Sequence, residues 1–94
     1  MKTVRAIYLR SPDTCVTLTG HADDGDIVCF IADGAEKAVA ARAHIPSLHK
    51  MATEPIKKDG EVCKYGAVIG VALEDIKPGE HIHVHNIASP QIGG

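Results

Sequence analysis

Three of the six histidines stand at every second position near the C-terminus, in the segment Gly79–Asn86. In an extended strand alternate side chains share one face, so His81, His83 and His85 are predicted to point the same way. Imidazole can donate, accept or carry a proton near neutral pH, and it is a common metal ligand. The spacing therefore predicts a histidine-lined surface suited to proton transfer or to metal binding.

Strand geometry disfavours a metal site made from these three histidines alone. Alternate residues of a strand stand about 6.5 to 7 Å apart, whereas each ring nitrogen must approach the ion to about 2 Å. The two outer side chains would have to lean sharply inward, although two neighbouring histidines of the set can chelate an ion more easily. The pattern alone does not decide whether a metal contacts this chain.

A second pair of candidate residues, His49 and Lys50, follows the segment Ile45-Pro46-Ser47-Leu48. The pair is predicted to leave a turn and enter a strand, so the two side chains point to opposite faces and only one can reach a given site. His49 suits an acid or base role, with a structural hydrogen bond as the alternative. Lys50 suits binding of a carboxylate as a compact charge, with an exposed salt bridge as the alternative.

Length and composition describe the domain that must position these residues. The chain has 94 residues, 45% of them hydrophobic and only 3% aromatic, which predicts one domain spanning residues 1–94 with an aliphatic core. Its three cysteines are widely spaced and form no C-x-x-C pair, so they are interpreted as small buried residues rather than zinc ligands or disulfides.

Charge and hydropathy argue against two classes of partner. The formal net charge is −2, and no cluster of Lys and Arg is long enough to follow a phosphate backbone, so nucleic acid is not expected as a partner. The N-terminus carries Arg5 and Arg10 where a signal peptide would be apolar, and no window reaches a membrane-spanning length. The expectation is a cytoplasmic protein without a membrane partner.

A weak internal repeat predicts the fold class. Turn glycines precede an acidic and then a β-branched residue near Gly25, Gly60 and Gly79, as in tight turns that feed strands. Asp residues around His21 are interpreted as part of the first of these turns. Short strands joined by turns indicate an all-β domain. The predicted strands run from about Val4 to Leu9, Cys15 to Leu18, Ile27 to Ile31, Glu61 to Cys63, Ala67 to Leu73 and His81 to His85. Residues 35–44 are alanine-rich and are predicted as one short helix by propensity, with a strand as the alternative.

The segment His49–Asn86 resembles the SAF-type domain of the altronate and galactarate dehydratase family, which includes sulfolactate sulfo-lyase. The diagnostic pieces are His49-Lys50, Lys64-Tyr65-Gly66 with Gly70 four residues on, and His83-Val84-His85-Asn86 after a Gly-Glu turn. Many members have glycine where Leu48 stands, and an Asp-Ile pair where Pro55-Ile56 stands. The resemblance implies a β-clip fold of short strands and a role as small subunit or N-terminal module beside a large catalytic dehydratase subunit.

The resemblance also implies a chemistry. Sugar-acid dehydration removes a proton beside a carboxylate and expels the β-hydroxyl, which requires a base, an acid and positive charge to hold the enolate. Members of the family are dependent on Fe²⁺, or on Mn²⁺ in some cases, and we expect the large subunit to bind most of that metal. His83 and His85 match the family's paired histidines, so they are the first candidates for catalytic residues.

Further site residues follow from the same match. His49 is a third catalytic candidate, and the candidates for substrate binding are Lys50, Asn86 and Tyr65. Tyr65 has a structural alternative, in which its ring covers the core beside a turn, and Asn86 has another, in which it orients a histidine or caps a strand. The expected substrate is a sugar acid or another 2-hydroxy acid, whose identity the sequence does not give.

An alternative function belongs to a different class. SAF domains also occur as ligand-binding or assembly modules without catalytic activity, so the fold alone does not decide between the two. A small β domain with exposed strand edges can also associate with itself, which makes a homo-oligomer a further expectation.

Overall fold

A computed structural model describes residues 1–9, 13–64 and 66–89. These residues form strands and turns and contain no helix, so the predicted all-β class is confirmed. The nine strands of this part of the chain are β1 (Thr3–Ile7), β2 (Cys15–Leu18), β3 (Ile27–Ala32), β4 (Ala35–Ala40), β5 (Lys50–Ala52), β6 (Glu61–Lys64), β7 (Ala67–Ala72), β8 (His81–Ile82) and β9 (Ile87–Ala88).

The strands make two sheets. A six-stranded sheet has the order β4-β3-β1-β2-β5-β8, and a three-stranded sheet has the order β6-β7-β9. Strands β1 and β3 run parallel, while the other pairs in both sheets are antiparallel. The pairing of β5 with β8 is the one that concerns the candidate residues, because it brings Lys50 and Met51, which directly follow His49, beside Ile82 and His81.

Two aliphatic clusters hold the sheets together, as the low aromatic content predicts. Val16 and Met51 belong to the first cluster, whereas Cys15 and Ile82 belong to the second. Since Cys15 and Val16 are neighbours on β2 and both are fully buried, this strand lies between the two clusters. Burial raises the pKa of the Cys15 thiol to about 11, so this cysteine packs as a small apolar residue, as expected.

The internal repeat forms a set of equivalent turns. In residues 23–26, 46–49, 57–60 and 77–80 the fourth N–H donates to the first carbonyl, at 2.8 to 3.1 Å. The third residue of each turn has a positive φ, which is typical of a type II turn. These third residues are Gly25 (φ 93°), Leu48 (φ 67°), Asp59 (φ 70°) and Gly79 (φ 92°). The sequence repeat identified three of the turns. Residues 46–49 contain no glycine and so fall outside the repeat, although the segment Ile45-Pro46-Ser47-Leu48 was separately predicted as a turn.

Bridges between the turns pair them two by two. Ala22 and Ile45, which precede the first and second turns, exchange two backbone hydrogen bonds, and Ile56 and Ile76 do the same for the other two. Each bridge residue is buried. The bridges therefore hold the four turns in pairs, and strands β3, β5, β6 and β8 begin directly after these turns.

Leu48 is strained in this arrangement, so Leu48→Gly is expected to stabilise the domain by about 0.5 to 1 kcal/mol. A non-glycine residue in the left-handed region costs about 1 to 2 kcal/mol, which glycine avoids. Glycine loses more conformational entropy on folding, and this offsets about 0.5 to 1 kcal/mol of the gain. The Leu48 side chain is 73% exposed, so little burial is lost. Urea unfolding of both proteins measures the change, and a lower free energy of unfolding for the variant would contradict it.

Two sequence expectations are resolved by strand pairing. Residues 35–40 form strand β4 rather than the short helix, because all six residues pair with β3 across a two-residue turn at Asp33 and Gly34. This pairing outweighs the helix propensity of alanine. The predicted strand His81–His85 is wrong beyond Ile82, because residues 83–86 turn back and the N–H groups of Asn86 and Ile87 both donate to the His83 carbonyl.

Candidate functional site

Four histidines from two distant segments form one group of rings, which we call the histidine cluster: His49, His81, His83 and His85. The ring centroid of His49 lies 5.1 Å from that of His81 and 4.8 Å from that of His83. His81 in turn lies 5.5 Å from both His83 and His85. Nδ1 of His49 and Nε2 of His81 are 2.9 Å apart, within hydrogen-bonding distance.

Strand register explains how these segments meet. In the antiparallel pair β5–β8, Met51 stands opposite His81 and Lys50 opposite Ile82. Continuing this register by one residue places His49 opposite His83. Because side chains alternate between faces, His49 and His81 share the face of Met51, which packs in the first core cluster. The cluster is therefore anchored on the backbone of two paired strands.

Asn86 holds the turn that presents the histidines. Its side chain is 2% exposed, Oδ1 accepts a hydrogen bond from the His83 N–H at 3.0 Å, and Nδ2 donates to the His81 carbonyl at 2.7 Å. Both ends of the amide are thus used to fix the backbone on either side of Ile82. Of the predicted roles for Asn86, this geometry matches the strand cap.

The environment of His81 keeps its ring neutral. Burial, and after it the neighbouring rings of His49, His85 and His83, together lower the pKa of His81 to about 4. At neutral pH this imidazole carries one donor and one acceptor nitrogen. A neutral ring is also the protonation state that binds a metal ion.

The cluster can also hold a metal ion, although not with the three histidines that the spacing suggested. One ring nitrogen each from His49, His81 and His83 lie within 4.8 Å of one another. Imidazole nitrogen suits divalent transition metals such as iron and zinc. The strand argument against the set His81, His83 and His85 does not apply here, because His49 comes from another strand and residue 83 lies in a turn.

A cleft adjoins the cluster. Its volume is ≈ 370 Å³, and the polar side chains in its lining are Arg42, Glu74, Glu80, His81, His85 and Asn86. This volume is within the range typical of small-molecule sites. His81 and His85 belong to both the cleft and the cluster, so a molecule in the cleft would contact imidazole directly.

The remaining predicted site residues lie elsewhere. Lys50 stands opposite Ile82 and Thr17, so it occupies the opposite face of the sheet from His49, as the alternation predicts. Tyr65 falls outside the described residues. A separate exposed pair, His21 and His44, lies near Asp23, with His44 Nδ1 2.8 Å from Asp23 Oδ1. Asp26 accepts backbone hydrogen bonds that lower its pKa, from the N–H of Asp23 and of Lys2, which is consistent with the predicted turn.

Sequence reasoning placed His81 on the histidine-lined surface without making it a catalytic candidate, and it missed Arg42. His81 had a usable signal, because His49 and Glu80 each end an equivalent turn, and the strands after such turns can pair. Arg42 had no such signal, because it lies beside the cleft through a contact between distant segments, in which its N–H donates to the Gly79 carbonyl at 2.9 Å.

These features define a small all-β domain that carries a polar, histidine-lined site at the edge of a sheet. The chain belongs to the altronate/galactarate dehydratase SAF domain family, whose sequence profile matches residues 4–90. The family predicted from His49–Asn86 is thereby confirmed, and the match extends to the N-terminal half.

Named relatives come from two kinds of lyase. An altronate dehydratase of Escherichia coli K12 is 40% identical over 73 residues, covering 70% of this chain and 15% of the relative. An altronate dehydratase of Bacillus subtilis is 55% identical over 38 residues, covering 40% of this chain and 8% of the relative. A (2R)-sulfolactate sulfo-lyase subunit alpha of Paracoccus pantotrophus is 34% identical over 61 residues, covering 64% of this chain and 91% of the relative. The chain thus spans a small part of the dehydratases and nearly all of the sulfo-lyase subunit.

Within residues 1–9, 13–64 and 66–89, no helix has the length and apolarity needed to cross a bilayer.

Proposed function

We propose that this chain is the SAF domain of a sugar-acid dehydratase or a related lyase, and that its histidine cluster completes an active site formed with a large catalytic subunit or domain. The observation that carries the proposal is the contact of four imidazoles beside a polar cleft. An elimination reaction requires both an acid and a base, and imidazole can serve as either near neutral pH.

The exposure of the four histidines suggests which of them transfer protons and which position the others. His83 and His85 are exposed, so they would face the catalytic partner and move protons to and from the substrate. His49 and His81 are half-buried and are held together by the 2.9 Å contact between Nδ1 and Nε2. They would position the exposed rings, which lie against them. When bound, a divalent metal ion, Fe²⁺ or alternatively Mn²⁺, would supply Lewis acidity to stabilise the developing enolate. The residues of this chain that would hold it are His49, His81 and His83, with further ligands from the catalytic partner. With the metal bound, His83 would be a ligand and proton transfer would fall to His85.

The relatives support a divided active site. The sulfo-lyase relative is named as a subunit, and the dehydratase relatives are several times longer than this chain, which spans 8% and 15% of them. We infer that the domain is inactive alone and acts beside a much larger catalytic chain or domain. Its substrate would be a sugar acid or another 2-hydroxy acid such as sulfolactate.

A reconstitution experiment tests this proposal. The chain is purified with the catalytic chain encoded beside it and is incubated with altronate, galactarate or sulfolactate, with and without ferrous iron. Release of a keto acid, or of sulfite from sulfolactate, is expected from the complex and not from either part alone. A chain that binds no catalytic partner, or a complex that releases neither product, would favour a non-catalytic ligand-binding or assembly module.

A further inference from the structure

The cleft beside the histidine cluster contains one arginine. Arg42 is the second residue after β4, and its backbone N–H donates to the Gly79 carbonyl at 2.9 Å. Its side chain packs closely over Gly79, since a Cβ placed on that glycine would lie 3.0 Å from Arg42 Cγ. Two contacts therefore fix the backbone and the base of the side chain of Arg42, which lines the cleft.

The guanidinium is not committed to a carboxylate of the described part of the chain. The ion pairs within 4.0 Å in that part join Arg5 to Glu36, and His21 and His44 to Asp23. Arg42 takes part in none of them, although Glu74 and Glu80 line the same cleft. An exposed arginine beside a polar cleft, without such an ion pair, is available for an anionic ligand.

We propose that Arg42 binds the carboxylate of the substrate and thereby holds its reacting carbon beside His81 and His85. The proposal rests on the proposed lyase function. Arginine presents a planar fork of donors that matches a carboxylate with two parallel hydrogen bonds. The cleft is the place in the described structure where such a fork and the histidine cluster meet, and its volume of ≈ 370 Å³ accommodates a small acid.

The glutamates of the cleft refine the class of acid. Glu74 and Glu80 can accept hydrogen bonds from hydroxyl groups, and they repel a second anionic group. One guanidinium and two carboxylates therefore suit a molecule with a single carboxylate and several hydroxyls better than a dianion. Arg42 would determine where the acid end binds, and the glutamates would select the hydroxylated remainder.

A binding experiment on the full chain tests the anion site without requiring activity. Sodium gluconate, an acid with one carboxylate and several hydroxyls, is titrated to millimolar concentrations while NMR follows the Arg42 side chain and the His81 and His85 rings. Concentration-dependent shifts are expected with gluconate and not with sorbitol, which lacks the carboxylate. Arg42→Ala should abolish them. Absence of shifts in the parent chain, or their persistence in Arg42→Ala, would overturn the proposal.

Kinetics of the assembled enzyme test the role in catalysis. Arg42→Ala is expected to raise KM about 10- to 100-fold, as loss of a charge-assisted hydrogen-bonded pair predicts, with kcat changed far less. Arg42→Lys should recover part of the loss. Arg5→Ala removes an exposed arginine that pairs with Glu36 and should leave KM unchanged.

The outcomes separate this inference from the proposed function. An active parent enzyme with an unchanged KM in Arg42→Ala would overturn the role of Arg42 and leave the lyase function intact. An enzyme without lyase activity would overturn the function, and the gluconate titration would still decide whether Arg42 binds a carboxylate.

Discussion

Replacing His83 with alanine is expected to lower kcat of the assembled enzyme by about 100-fold or more, because a positioned acid or base contributes about 10²- to 10⁴-fold. His83 is the exposed histidine that contacts His49 at 4.8 Å and stacks on His81 at 5.5 Å between ring centroids. It also belongs to the group of three that can hold a metal ion. Either role would be lost with the ring.

The fold should survive this change. The His83 ring is exposed, and the hydrogen bond that fixes the turn comes from the His83 backbone N–H to Asn86, which alanine retains. His85→Ala is expected to behave similarly, since residue 85 is also exposed and its ring lies 5.5 Å from that of His81. Loss of turnover with an unchanged thermal midpoint would therefore report on chemistry rather than stability.

His21→Ala provides a matched control. His21 is an exposed histidine whose Nε2 lies 2.9 Å from Nζ of Lys2, outside the histidine cluster. Steady-state kinetics, partner binding and iron content would be compared for the three variants and the parent enzyme. Normal turnover in both His83→Ala and His85→Ala would remove the histidine cluster from the reaction, and reduced iron content in His83→Ala alone would identify it as a metal ligand.

Local sequence signals predicted the fold well where a turn and its strand are close together. The glycine-acid repeats located three of the four equivalent turns, and Cys15–Leu18 forms the predicted strand with the same bounds. The alanine-rich residues 35–40 were ambiguous because their helix propensity competes with pairing to β3, and a tertiary contact of that kind is not visible in a local pattern.

The site was predicted residue by residue rather than as an arrangement. His49 and His83 were each candidates, but their proximity depends on the register of β5 and β8, which no short segment encodes. The period of two suggested a continuous histidine strand, whereas Asn86 closes a turn immediately after Ile82. The register of β5 and β8 already sets His83 beside His49, and the turn brings His85 back to 5.5 Å from His81 between ring centroids, so a departure from the strand pattern completes the cluster.

Gly79→Ala is expected to destabilise the domain by about 2 kcal/mol or more. Gly79 has φ 92°, and a side chain in that region costs a net of about 0.5 to 1 kcal/mol once the lower unfolded-state entropy of alanine is counted. A Cβ would also overlap the Ala40 carbonyl oxygen and lie 3.0 Å from Arg42 Cγ. Relieving such overlap by moving backbone costs a further 1 to 3 kcal/mol or so. The segment carrying Arg42 would be displaced from the turn before β8.

Gly25→Ala separates the two causes. Gly25 occupies the equivalent position of another turn with a nearly identical φ of 93°, but nothing lies within 4 Å of a Cβ placed there. It should therefore lose only the conformational part, a net of about 0.5 to 1 kcal/mol, because the left-handed penalty of about 1 to 2 kcal/mol is offset in part by the lower unfolded-state entropy of alanine, about 0.5 to 1 kcal/mol. Denaturant unfolding of both variants measures the difference. Equal losses would mean that the close approach of residues 40–42 to Gly79 contributes nothing to stability. A clearly larger loss for Gly79→Ala would show that glycine is needed there so that Arg42 can pack against the turn leading into the histidine cluster.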